Sequence, residues 1–499
     1  MLYDDIFVLS TKQKKFFIEK IDLIIDMVTK YIYRNHPDIF KNFLAFEIEK
    51  QDNIIVVSKL LEMGIIKNTQ ELKHLKLLLK SRYSLLHKSL YYYECLNLKF
   101  LNKFSNTYRH ELQQKEKEKK YNLIDLFAGA GGFSLGFLQE GFKVELANDI
   151  DDTALETYKF NHPEISSDRI IKKDIKELVN EINNFACSEI DVIIGGPPCQ
   201  SFSTANQRRI IDDPRNVLYK YFVDVVNLVR PKMILMENVR GMLKVADQVV
   251  QDFKKIGYDV AYDLFDATDF SVPQKRIRLF YIGIEKKFAK KHSIKVENVI
   301  KEINKELQKN PKFVLKDALS NIKPLECAKI KNMTEKDCEH SGKKVDINTY
   351  GTNEYLNIIN NHKSNIFVFN HKARYTNEND RQIYSLLKQG EDSTAKSIQH
   401  IMPYKHRNHI FKDKYFKLVE NLPSRTITAH LKMDGHSHIH PTQIRSITPR
   451  EAARIQSFPD DYLFLGPYLN TFMQIGNAVP PLMSRVFARV YKKLLHKGN

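Results

Sequence analysis

The stretch NLIDLFAGAGGFSLGF, Asn122 to Phe137, decides the fold. An apolar run ends in an acid and an aromatic, crosses a glycine-rich loop and restarts as an apolar helix. Gly129, Gly131 and Gly132 let the backbone approach a ligand closely, and the first amides of the helix can meet it. Ser134 stands where the dinucleotide-binding fingerprint has its third glycine, so this is a different glycine loop. Asp149, in ANDID, follows Gly129 by 20 residues. That spacing puts an acid at the end of the next strand, where it can bond ribose hydroxyls.

The same texture continues outward. KVELAND, DVIIGGP, MILMENV and RLFYIGI are short apolar runs separated by helix-like segments. Strands alternating with helices predict an α/β domain with a parallel sheet. Ligands of such sheets sit at the carboxyl ends of the strands. Cys199 and Glu237 each follow or end an apolar run, so they and Asp149 converge on one rim. Pro197 and Pro198 restrict the backbone just before Cys199 and fix the direction of its thiol. Arg276 and Arg278, alternate residues at a strand start, face the same way. A thiol, a carboxylic acid and guanidinium donors on one rim suit nucleophilic attack on an electron-poor ring with acid assistance.

At 499 residues the chain is too long for one core. No signal peptide opens it, and no apolar run reaches membrane-spanning length. Five scattered cysteines argue against a disulfide framework and for a reducing cytoplasm. Lys plus Arg number 78 against 60 Asp plus Glu, a net charge of +18. Such an excess fits a polyanion partner, nucleic acid first among them.

Residues 1–115 read as a helical N-terminal extension. Phe17, Ile21, Ile24, Ile25, Val28 and Ile32 recur at helical spacing, as do Leu72, Leu75, Leu78, Leu79 and Leu86. The polar run ELQQKEKEKK, Glu111 to Lys120, marks a boundary, which makes the extension dispensable for the chemistry. Residues 120–285 plus 470–499 read as the catalytic domain, closed by the apolar face of PPLMSRVFARVYKKLL. Residues 286–469 are irregular and rich in lysine and histidine; 11 of the 17 histidines fall between His292 and His440. No spacing there is that of a zinc site, so no metal is expected.

Six ordered blocks resemble the DNA cytosine-C5 methyltransferases of bacterial restriction-modification systems. DLFAGAGGFS is similar to their cofactor loop, GGPPCQSFS to the nucleophile loop, MENVRGM and QKRIRLF to the acid and arginine motifs. ITPREAARIQSFPDDY and QIGNAVPP are similar to the two closing motifs. The resemblance implies a Rossmann-like catalytic domain that takes S-adenosylmethionine, and a smaller target-recognition domain between the arginine motif and the closing motifs.

The resemblance also assigns roles. Phe127, Gly129, Gly131, Gly132 and Phe133 line the cofactor loop. Asp149 takes the ribose hydroxyls, and Asp174 meets the adenine amino group between Ile150 and Ile175. Pro197, Leu218 and Asn477 are further cofactor neighbours. Cys199 adds to carbon 6 of cytosine while Glu237 holds and protonates ring nitrogen 3. Arg276 steadies the base oxygen and orients the thiol, with Arg278 in support. Read from the residues themselves, Arg454 and Gln456, in EAARIQSF, are structural and tie the two lobes together.

The implied partner is double-stranded DNA, its target base flipped out of the stack. No membrane is involved, and a cognate restriction endonuclease acts on the same site without a stable complex. The implied location is the cytoplasm, at the nucleoid. The stretch after Arg278 up to Arg445 carries 30 basic and 18 acidic residues, which fits phosphate contacts. Two alternatives stay open. One is a tRNA cytosine-C5 methyltransferase, which typically lacks a long recognition region. The other is a methyltransferase-like DNA-binding regulator.

Overall fold

The computed structural model describes residues 6–45, 50–185, 188–198, 218–403 and 414–497. Seven of its strands form one sheet: β1 (Tyr121–Leu126), β2 (Phe142–Asp149), β3 (Ile170–Lys172), β4 (Val192–Gly195), β5 (Met233–Val239), β6 (Tyr258–Asp266) and β7 (Ile277–Glu285). Their order is β3-β2-β1-β4-β5-β7-β6, with β1 to β5 parallel. Because successive strand residues point to opposite faces, both faces must be covered. Leu123, Val192, Ile194 and Leu235 enter the core on one side. Ile124, Leu126, Ile193 and Ile234 enter the core on the other. The first face is closed by the helix Gly132–Gln139 and by the last described helix, Pro481–Lys497. Leu482, Met483, Val486, Phe487, Val490 and Leu494 of the latter are all buried, as its sequence pattern predicts.

The sheet departs from a wholly parallel one at its far edge. β7 runs antiparallel to both β5 and β6. Only a short 3-10 turn, Ala267–Phe270, and a few loop residues separate β6 from β7. A parallel crossover needs a dozen residues or more, so this connection returns as a hairpin. The strand order reverses between β1 and β4, which opens a crevice above their carboxyl ends.

The N-terminal extension is fused to the rest of the chain. Its first helix, Thr11–Asn35, begins with a capping box in which the Ser10 and Gln13 side chains bond each other's amides. Its buried face shares one core with Val345 of β8 (Gly342–Ile347) and Phe367 and Phe369 of β9 (Phe367–Lys372). Leu463 and Leu465 lie in that core as well. The polar run from Glu111 to Lys120 therefore does not separate two independent cores: the periodic stripes show that a helix buries a face, not which partner it buries against. Each of these five side chains contributes about 1.5–3 kcal/mol by its burial. A chain beginning at Lys115 is therefore expected to aggregate, or to melt lower by about 10 °C or more. Scanning calorimetry checks this; an unchanged melting temperature would refute it.

Candidate active site

The glycine loop is held from three directions. Phe127, Gly129 and Gly131 all have left-handed backbone, with φ of 56°, 53° and 86°. The Ala128 amide bonds the Asn148 carbonyl at 2.9 Å. A Cβ on Gly131 would lie 2.8 Å from the Tyr158 ring, and one on Gly132 would lie 2.8 Å from the Val479 carbonyl. A Cβ on Gly129 would meet nothing within 4 Å. The loop is thus packed tight beneath and open above, the shape a backbone-bound ligand needs.

Asp149 stands at the open side. Its two carboxylate oxygens accept the Gly129 and Asp151 amides, each at 2.8 Å. Burial raises the carboxyl from its ordinary value, and those amides work against the rise. Ile150 is 65% exposed beside it. The end of β3 is tied to the same place, because the Lys173 amide bonds the Asp149 carbonyl at 3.2 Å. Asp174 follows, half-buried, accepting the Lys176 amide at 3.0 Å.

Phe133 and Ile175 turn inward and are buried. Phe133 stacks edge-on against Phe137 and Phe280, so its backbone is what it offers the loop. Asn477 is exposed at the end of the helix Tyr468–Asn477, just before the residues that pack on Gly132. Leu218 opens the helix Leu218–Val229 and packs, like Phe127, on the second core. Within β1, Asp125 is fully buried. Burial pushes its carboxyl up to about 8, which the Ser134 side chain offsets only in part.

The loop after β4 is held at its base. The Asn238 side-chain amide donates to the Pro197 carbonyl at 3.1 Å, and a Cβ on Gly196 would lie 3.3 Å from Glu237 Oε2. Glu237 therefore stands beside the stem that leads to Cys199. Cys199 itself and the residues up to 217 lie outside the described residues.

Arg278 Nε sits 3.0 Å from Glu237 Oε1, with the two side chains 17% and 13% exposed. Arg276 lies apart from this pair in its contacts. Its guanidinium donates to the carbonyls of Ile427 at 2.9 Å, Gly476 at 3.3 Å and Ala478 at 3.1 Å. Burial, with Arg278 nearby, lowers its pKa to about 9. The resemblance gives Arg276 the lead at the base with Arg278 in support; in the fold it is Arg278 that faces the acid, while Arg276 staples the closing motif to the sheet.

Further contacts complete that staple. Gln274 Nε2 bonds Gln456 Oε1 at 2.7 Å, and Gln456 Nε2 bonds the Ile475 carbonyl at 2.8 Å. Arg454 forms a buried pair with Asp460 at 2.7 Å and reaches the Ser320 carbonyl at 2.8 Å. Gln456 thus reaches Gln274, Ile475 and Ala478 outside residues 286–469, whereas the partners of Arg454 lie within that region, so among the described residues Gln456 spans the two expected lobes and Arg454 does not. Asn238 and Gln274 are further site residues that the sequence does not single out; the signal for them is an amide close to a reactive residue within MENVRGM and QKRIRLF. His438 and His440 are buried. Among the described residues, no group of three His, Cys, Asp or Glu side chains is placed to hold a metal ion. Among them, too, no helix is long and apolar enough to cross a membrane.

Comparison with known proteins identifies the neighbourhood. The profile of the C-5 cytosine-specific DNA methylase family matches residues 121–493. The type II methyltransferase M.DdeI of Desulfomicrobium norvegicum is 32% identical over 388 residues, covering 74% of this chain and 87% of that protein. The type II methyltransferase M.AgeI of Thalassovita gelatinovora is 32% identical over 430 residues, covering 74% and 98%. A crystal structure of a protein described as a DNA modification methyltransferase, encoded within an E. coli prophage, superposes with a TM-score of 0.57 at 25% identity. It covers 76% of this chain and all of that one.

Proposed function

The chain belongs to the C-5 cytosine-specific DNA methylase family, and on that premise we propose that it methylates carbon 5 of a flipped-out cytosine in a specific double-stranded DNA sequence through a covalent Cys199 adduct. The observation that carries the reading is one rim holding both halves of the chemistry: the open glycine loop with Asp149, and the Pro197 stem with Glu237 and Arg278.

The residues at the cofactor half fit S-adenosylmethionine. Gly129 leaves backbone open to a ligand, and Asp149 keeps lone pairs free for ribose hydroxyls. Phe127, Ile150 and Asp174 stand at adjacent strand ends for the adenine. Gly131, Gly132, Phe133 and Ile175 support them from below, and Pro197, Leu218 and Asn477 border the same crevice. Bound there, S-adenosylmethionine supplies an activated methyl group.

At the reactive half, Cys199 adds to carbon 6 of the cytosine. Glu237 holds and protonates ring nitrogen 3, which makes carbon 5 enamine-like and able to take the methyl group. Loss of the carbon 5 proton, then departure of the Cys199 thiolate with return of the nitrogen 3 proton to Glu237, restores the ring. Arg278, already at Glu237, orients that acid and meets the base. Arg276, with its guanidinium given to three carbonyls, fixes the closing motif behind the site.

Residues 286–469 read the target sequence, residues 120–285 and 470–499 carry the chemistry, and residues 1–115 form the extension. A cognate endonuclease acting on the same site, and work at the nucleoid in the cytoplasm, belong to this reading too. The long basic recognition region favours duplex DNA over tRNA. Incubation with tritiated cofactor should label duplex DNA, and bisulfite mapping of the product should show one short motif. Label confined to tRNA, or spread over all cytosines, would contradict it.

A further inference from the structure

We propose that the N-terminal extension is a positioning element for the cofactor half of the site, acting through the helix Asp152–Asn161. The inference rests on the reading of Asp149 and the glycine loop as the cofactor site. The family profile begins at residue 121, so the extension lies outside what the family shares.

The extension grips this helix directly. Lys12 Nζ lies 2.9 Å from Asp152 Oδ2, an oxygen that Lys172 also meets at 3.0 Å. One turn further on, Lys20 Nζ lies 2.9 Å from Glu156 Oε2, with the two side chains only 5% and 12% exposed. Ion pairs so shielded from water are screened little by salt and hold a fixed geometry. The helix they hold begins where the ribose acid ends. Asp151 caps it, accepting the Thr153 amide at 2.8 Å, while the Asp151 amide bonds Asp149 at 2.8 Å. A shift of the helix therefore moves Asp149 and Ile150 with it.

The second grip reaches the glycine loop. Both oxygens of Glu19 accept the Gly466 amide, at 2.9 and 3.2 Å. Gly466 ends a segment laid along the same helix: the Leu465 amide bonds Thr157 Oγ1 and the Leu463 amide bonds Asn161 Oδ1, each at 2.9 Å. Just before that segment, the Tyr462 hydroxyl donates to the Ala130 carbonyl inside the glycine loop. Both walls of the cofactor half are thus backed by parts that the first helix of the extension holds.

The test uses the full-length chain and S-adenosylhomocysteine. In Lys20→Met and in Lys12→Ala, calorimetry should show a Kd raised on the order of fivefold or more. The KM for S-adenosylmethionine should rise alike, while kcat at saturating cofactor and duplex affinity stay unchanged. A purely structural contact would lower the melting temperature without this split. The exchange Lys20→Glu with Glu156→Lys should restore the affinity that Lys20→Glu alone loses. Lys12, 55% exposed, carries the test should Lys20→Met fail to fold. Folded variants that bind S-adenosylhomocysteine like the parent overturn the proposal, provided that Asp149→Ala loses that binding. An Asp149→Ala chain that keeps it would instead remove the cofactor reading underneath.

Discussion

Cys199→Ala is expected to abolish methyl transfer while leaving cofactor and duplex affinity intact. The bond from its thiol to carbon 6 exists only along the reaction path. Its loss therefore falls on turnover and not on ground-state binding. The stem before the cysteine is built to survive the change. β4 is buried between β1 and β5, Gly196 sits against Glu237, and the Pro197 carbonyl is held by Asn238. None of these contacts involves the thiol. Removing it also removes bulk beside the flipped base, so duplex affinity is free to rise. Tritium transfer, calorimetry with S-adenosylhomocysteine and gel retardation separate the three quantities. A Cys199→Ala enzyme that still labels DNA would sink the assignment.

Glu237→Gln should cost the second-largest factor, on the order of 10²–10⁴ in the single-turnover rate, the range for a positioned proton donor. The amide keeps the shape of the side chain and its place beside Gly196, so binding of cofactor and duplex should change little. What it cannot do is hand a proton to ring nitrogen 3. It also leaves the half-buried Arg278 guanidinium without the carboxylate 3.0 Å away, so Arg278→Ala combined with Glu237→Gln should cost less than the two losses added. A single-turnover rate within about threefold of the parent, far below that catalytic range, would remove Glu237 from the mechanism.

How legible the fold was depended on how one-sided each element's burial is. β1, β4 and β5 are buried on both faces and so appear in the sequence as short, predominantly apolar runs. The helix Pro481–Lys497 shows its stripe because it packs one face only. β6 shows no such signal. It borders the sheet, and YDVAYDLFD mixes acids with apolar residues that are mostly half-buried. β3 has none either, because its three residues are too few for a pattern. The leucine stripe from Leu72 to Leu86 reads as one helix but breaks at Lys80, whose φ is 52°; lysine carries no turn signal.

In the site, Asp149 and Glu237 were legible because each is an acid directly behind an apolar strand run, Asp149 ending β2 and Glu237 two residues before the end of β5. The separate neighbours of Arg276 and Arg278 were not. The carbonyls that bind Arg276 belong to residues 427, 476 and 478, about 150 to 200 positions away in the chain. Neither charge nor periodicity carries that distance. The fusion of the extension to β8 and β9 escaped for the same reason.

The covalent step is tested most directly with a duplex carrying 5-fluorocytosine at the mapped target position, because fluorine cannot leave as the carbon 5 proton does. In the presence of S-adenosylmethionine, the parent enzyme should form a complex that survives denaturation. Its mass should equal chain plus duplex strand plus one methyl group, with the attachment at Cys199 after digestion. A methylated, unfluorinated duplex released without any such complex, or an adduct mapped to another residue, would contradict the account.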